Sequence, residues 1–144
     1  MPYLLDTNAA IALMKGHPAV KSHVRRVGQR QLRICATVEG ELWFGVAKSV
    51  RVAENTERLL QLLAWLPSLP FNGEATRRFG EIRAHLARQG TPIGPYDLQI
   101  AAIALAADLT VVTLKATRLV HSFFGRPKNP RTDDYDESVP SEDA

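Results

Sequence analysis

The chain has 144 residues, 45% hydrophobic and 23% charged, a size and balance that suit one globular domain with its own core. Its one cysteine, Cys35, excludes an intrachain disulfide and a cysteine-based zinc site, and suits a reducing cytoplasm. The net charge of +3 hides an asymmetry: residues 133–144 hold Asp133, Asp134, Asp136, Glu137, Glu142 and Asp143 and no base, leaving 9 acids against 18 bases, about +9, in residues 1–132. That body suits a polyanion such as nucleic acid, and equally suits a merely solvated surface.

Tyr3-Leu4-Leu5 is a short apolar run that predicts a buried strand delivering Asp6 at its carboxyl end. The preceding residues reach a charge too soon, and lack the basic stretch, to be a signal peptide. A helix is expected from about Thr7 to Lys15, with Gly16 closing it, and a second from Pro18 to Gly28 with Val20, Val24 and Val27 on one side. Alternation over Gln31–Ala36 predicts a strand. Thr37 then suits the cap of a helix with Glu39 and Glu41 in its first turns.

Leu59, Leu62, Leu63 and Leu66 give helical spacing that stops before Pro67, and Pro67–Phe71 reads as a short connection or strand. Asn72 suits a cap for a helix running to Gly90. After the turn at Gly94-Pro95, Tyr96–Ala107 is a nearly all-apolar, hence central, helix, and Leu109–Thr113 is a β-branched strand. The stretch from Leu98 to Val112 is too short for a bilayer and contains Gln99 and Asp108, so no membrane role is expected. Alternating strands and helices predict a mostly parallel sheet of four to five strands in a three-layer α/β/α fold. The domain is expected over residues 1–124, with a polar, acidic, disordered tail over 125–144.

Open parallel sheets place their sites beyond the carboxyl ends of the strands. Asp6 stands at such an end, Glu41 in the helix after the second strand, and Asp97 at the start of the buried helix. Each alone has an ordinary explanation: Asp6 and Asp97 as helix caps, Glu41 as a solvated helix residue. Together, three carboxylates at successive junctions converge on one cleft, where they repel one another unless a cation binds. Hard oxygen donors suit Mg²⁺, with Mn²⁺ as substitute, activating water against a phosphodiester. His17, His23, His85 and His121 are scattered and lack metal-ligand spacing.

The chain resembles the PIN-domain ribonucleases, and among them the VapC-type toxins of type II toxin–antitoxin systems. The likeness rests on four blocks in family order: Tyr3-Leu4-Leu5-Asp6-Thr7-Asn8, then Gly40–Ser49 around Glu41, then Ile82–Gly90. The last and strongest, Pro92-Ile93-Gly94-Pro95-Tyr96-Asp97-Leu98-Gln99-Ile100-Ala101-Ala102, continues to Val111-Val112-Thr113. The resemblance implies a PIN-like fold, a cytoplasmic Mg²⁺-dependent endoribonuclease, and Asp6, Glu41 and Asp97 as its acidic metal-site positions. It further implies Thr7 and Asn8 as supports beside the first carboxylate and Thr113 as a supporting hydroxyl. The implied substrate is RNA, in the anticodon region of initiator tRNA by likeness of the Gly-Pro-x-Asp block. The implied partners are a VapB-type antitoxin whose carboxyl-terminal segment covers the cleft, and a second copy of the chain. Trp43, Phe44 and the leucines from Leu59 to Leu66 are the candidate dimer surface, with ordinary core positions as the alternative.

The likeness breaks after Thr113. Relatives place a fourth acid next; here the segment reads Leu114-Lys115-Ala116-Thr117-Arg118-Leu119, with Arg118 at the acidic position and no closing strand. The alternative to a working nuclease is therefore an impaired PIN domain that binds antitoxin or RNA without efficient cleavage. A phosphoacceptor domain also gathers acids near Mg²⁺, but needs an early acidic pair and a middle strand ending in Asp, and neither is present. Asp108 precedes the last strand and does not replace the missing acid.

Overall fold

A computed structural model describes residues 2–113; the proposed tail over 125–144, Arg118 and any later strand lie outside the described residues. Strand β1 (Tyr3–Leu5) leads into helices α1 (Thr7–Met14) and α2 (Pro18–Val27), and a single 3-10 turn (Gln29–Gln31) precedes β2 (Leu32–Cys35). Helices α3 (Ala36–Ala47) and α4 (Val52–Trp65) follow, then β3 (Ser68–Leu69), α5 (Gly73–Gln89), α6 (Pro95–Ala106) and β4 (Thr110–Val112). The four strands form one sheet in the order β3-β2-β1-β4, and every pairing is parallel.

This order sorts the helices into layers. The chain steps one way from β1 through β2 to β3, then reverses to place β4 on the other side of β1. Because parallel crossovers are right-handed, stepping one way puts α1–α4 over one face and the return through α5 and α6 over the other. The direction changes at β1, so the crevice beyond the carboxyl ends of β1 and its neighbours is where a site belongs.

The core explains the apolar pattern. Leu4, Leu5, Leu32, Ile34, Val38, Leu59, Leu66 and Ile103 are almost completely enclosed around the sheet. A smaller cluster of Ile82, Leu86, Leu98 and Ala102 locks α5 to α6, with Phe71 and Phe79 edge to face beside it, 5.8 Å between centroids. Helix α6 is buried at Leu98 and at every position from Ile100 to Ala104, as its all-apolar sequence predicts. Truncating a side chain such as Ile103 to Ala would cost about 2–5 kcal/mol.

Helix ends match their signals in most places. The Asn72 side chain accepts the Ala75 amide at 3.0 Å to start α5, and Gly90, in the left-handed region at φ 68°, ends it. One expectation is corrected. Helix α3 begins before Thr37: Cys35 holds the cap position without a side-chain capping bond, which leaves the Thr37 hydroxyl inside the first turn. The longer helical segment marked by the leucines is α4, which begins at Val52 with polar opening turns held by exposed pairs from Glu54 to Arg51 and Arg58 at 3.4 and 3.5 Å.

Candidate active site

Three helices bring the predicted acids to the carboxyl side of the sheet. Asp6 follows β1, and its backbone amide donates to the Val112 carbonyl at 3.0 Å, continuing the β1–β4 pairing by one residue. Its Oδ1 accepts the Ala9 amide at 2.8 Å, so Asp6 is the cap of α1 as well as a site candidate. Glu41 lies in the second turn of α3, half-buried. Asp97 is in the first turn of α6 but does not cap it: Gly94 occupies the cap position, and Asp97 stands exposed with no hydrogen bond or ion pair to another described residue. The ordinary explanation therefore holds for Asp6 and fails for Asp97.

Electrostatics tie the three together. Burial pushes the Glu41 carboxyl above the ordinary glutamate range, and the charges of Asp97 and then Asp6 push it further in the same direction. The Thr7 hydroxyl donates to Glu41 Oε2, so Thr7 steadies Glu41 rather than the neighbouring Asp6, joining α1 to α3. Asn8, on α1, and Thr113, directly after β4, are both half-buried. Asp108 occupies an exposed turn between α6 and β4 at φ 55°, on the amino side of that strand and away from the carboxyl ends.

The donor set is all oxygen, which fits a hard divalent ion. The acids are within each other's electrostatic reach but not drawn into a closed cage: among the described residues no three Asp, Glu, His or Cys side chains gather tightly enough to hold one ion. Mg²⁺ tolerates that arrangement, since it keeps several waters and takes only one or two carboxylates directly. The positive ends of the α1 and α6 dipoles offset part of the acids' repulsion.

One contact escaped the sequence reading. Thr37 Oγ1 donates to Gln99 Oε1 at 2.9 Å, linking α3 to α6. Its signal was visible in Gln99, the one polar residue between Leu98 and Ala107. A separate groove of about 530 Å³ opens between α1, α2 and α4, with an apolar floor including Leu13, Val24, Leu62 and Trp65 and a basic rim of Lys15, Lys21, Arg25 and Arg58. It contains none of the three acids.

The PIN domain family model matches residues 3–115, ending just past Thr113 where the sequence likeness breaks. The tRNA(fMet)-specific endonuclease VapC of Shigella flexneri is 31% identical over 135 residues, 94% of this chain and 98% of that protein. Its counterpart in Salmonella typhimurium is 36% identical over 78% of this chain and 86% of its own length. The crystal structure of VapBC2 from Rickettsia felis bound to a DNA fragment from their promoter superposes with a TM-score of 0.74 at 31% identity, over 81% of this chain and 90% of that one. The chain belongs to the PIN-domain family, in its VapC-type ribonuclease branch. The Shigella flexneri alignment runs well beyond Thr113.

Proposed function

We propose that this chain is the endoribonuclease toxin of a VapBC-type pair, hydrolysing RNA with a divalent ion held at Asp6, Glu41 and Asp97. The observation that carries this reading is the placement of Asp6 after β1, Glu41 in the second turn of α3 and Asp97 in the first turn of α6, near enough that both aspartates add to burial in raising the Glu41 pKa. Such a site gains most from a small, hard cation. Asp97, exposed and unpartnered among the described residues, and Asp6 are the direct ligands in this reading. Glu41 either completes the set or accepts the proton of the attacking water, while Thr7 holds it in place. The bound ion, Mg²⁺ or Mn²⁺, would lower the pKa of water and neutralise charge on the scissile phosphate.

Likeness to the tRNA(fMet)-specific relatives supports tRNA as substrate, and the VapBC complex structures support an antitoxin partner. No described helix is long and apolar enough to cross a membrane, which agrees with a cytoplasmic reading. The expected dimer surface divides: Trp43, Leu59, Leu62 and Leu66 belong to or pack against the core, whereas Phe44 is 65% exposed and Leu60 52%. Phe44 and Leu60 are what remain to support homodimerisation.

The test is single-turnover cleavage of a total tRNA pool with end mapping, in Mn²⁺ and in EDTA. Wild type is expected to give discrete ends only with the ion, and Asp97→Asn none. Ion binding without cleavage would favour the binding-only alternative.

A further inference from the structure

Helix α6 breaks its own pattern once. Between Leu98 and Ala107 every residue is apolar except Gln99, which is half-buried. Placing an amide there costs free energy unless it is hydrogen-bonded, and a bonded amide returns only about 1 kcal/mol net. A leucine at this position would serve packing at least as well, so stability does not explain the glutamine. Departures of this kind from local rules concentrate at functional sites.

Its partner locates the function. Thr37 lies one helical turn before Glu41 on the same face of α3, and Gln99 lies two residues beyond Asp97 on α6. Two residues on a helix are about 200° apart, so Gln99 can engage α3 while Asp97 keeps to the open end. Val38 and Leu42 of α3 share one apolar core cluster with Ile100 and Ile103 of α6, and such packing is non-directional. The Thr7–Glu41 bond joins α1, capped by Asp6, to α3; the Thr37–Gln99 bond joins α3 to α6. The three acid-bearing helices are thus linked in series by side-chain hydrogen bonds, against carboxylate repulsion that tends to part them.

We infer that Thr37 and Gln99 are a positioning pair that sets the spacing of Glu41 and Asp97, and so the affinity of the acid cluster for a divalent ion. This rests on the metal-site reading above. The experiment uses the full chain and Mn²⁺ itself as probe, measuring affinity by titration calorimetry beside thermal stability and RNA cleavage. Gln99→Leu is expected to keep or raise Tm while lowering Mn²⁺ affinity about tenfold, the scale of losses at outer-shell metal supports. Thr37→Val should match it, Thr37→Ser should keep wild-type affinity, and the double variant should be no worse than either single one. Gln99→Leu within twofold of wild type in affinity, or single effects that add in full, would overturn the pair. Asp97→Asn is the control: if it loses the ion while Gln99→Leu does not, the pair falls and the site stands. If wild type fails to bind Mn²⁺, both fall.

Discussion

Two groups of acids in this molecule are treated in opposite ways. On the exposed faces of α4 and α5, glutamates sit beside arginines: Glu54 with Arg51 and Arg58, Glu74 and Glu81 with Arg78, at 3.1–3.5 Å. At the carboxyl ends of the strands, Glu41 has a threonine hydroxyl and two aspartates for neighbours, and Asp97 has no basic partner among the described residues. A chain with 18 bases does not lack cations to spend on its acids. Surface pairs are worth little and are freely made; Glu41, half-buried beside two other carboxylates, has its ionised form disfavoured instead.

That contrast breaks most readily at Asp97. Asp97→Asn should lower RNA cleavage at least about a hundredfold, the scale expected for losing one electrostatic contact to a transition state. Its Tm should stay near wild type, because the residue is exposed and caps nothing. A variant cleaving at the wild-type rate in Mg²⁺ would place the chemistry elsewhere.

Glu41 sharpens the contrast through pH. Its folded pKa lies above that of the unfolded chain, so its contribution to stability is fully present below the ordinary glutamate value near pH 4.3 and is lost as pH rises through the raised pKa. In EDTA, Glu41→Gln should match wild type at low pH and melt higher as pH climbs, the glutamine still accepting from Thr7. Saturating Mn²⁺ should reverse that order. Superimposable melting profiles from pH 4 to 8 would remove the repulsion from the account.

The smallest effect belongs to the paired acids. Arg78→Ala releases Glu74 and Glu81 on an exposed helix face and should change stability by no more than about 1 kcal/mol, less at high salt, with cleavage untouched. A larger loss in chemical denaturation would show that surface pairing matters more here than exposure predicts.

Much of this was legible in the residues, for reasons that can be named. Apolar runs such as Tyr3–Leu5 and the helix after Asp97 announce buried elements because burial on every side leaves no polar positions, and Asn72 and Gly90 announce the ends of α5 because their chemistry is local. Residues whose role is set by a neighbour distant in sequence were not legible. Thr37 has the composition of a cap, but its hydroxyl is claimed by Gln99; Thr7 adjoins Asp6 in sequence yet bonds Glu41. Asp97 looked like a cap from composition alone, and only backbone geometry shows Gly94 in that position. The start of α4 is left open by the leucine spacing because its first turns are held by surface charge pairs rather than by an apolar stripe.

The register of the sheet also bears on when the molecule acquires its chemistry. Leu5 pairs with Val112, and the Asp6 amide bonds the Val112 carbonyl, so the first strand is completed by the last one described. Contacts between such distant parts of a chain form late and slowly, because a long loop must close before any pairing repays it. A ribosome that has released only the first ninety residues has made Asp6 and Glu41 but neither Asp97 nor the strand that anchors Asp6. On the proposed site, the cleft would not assemble until synthesis of this region is nearly finished.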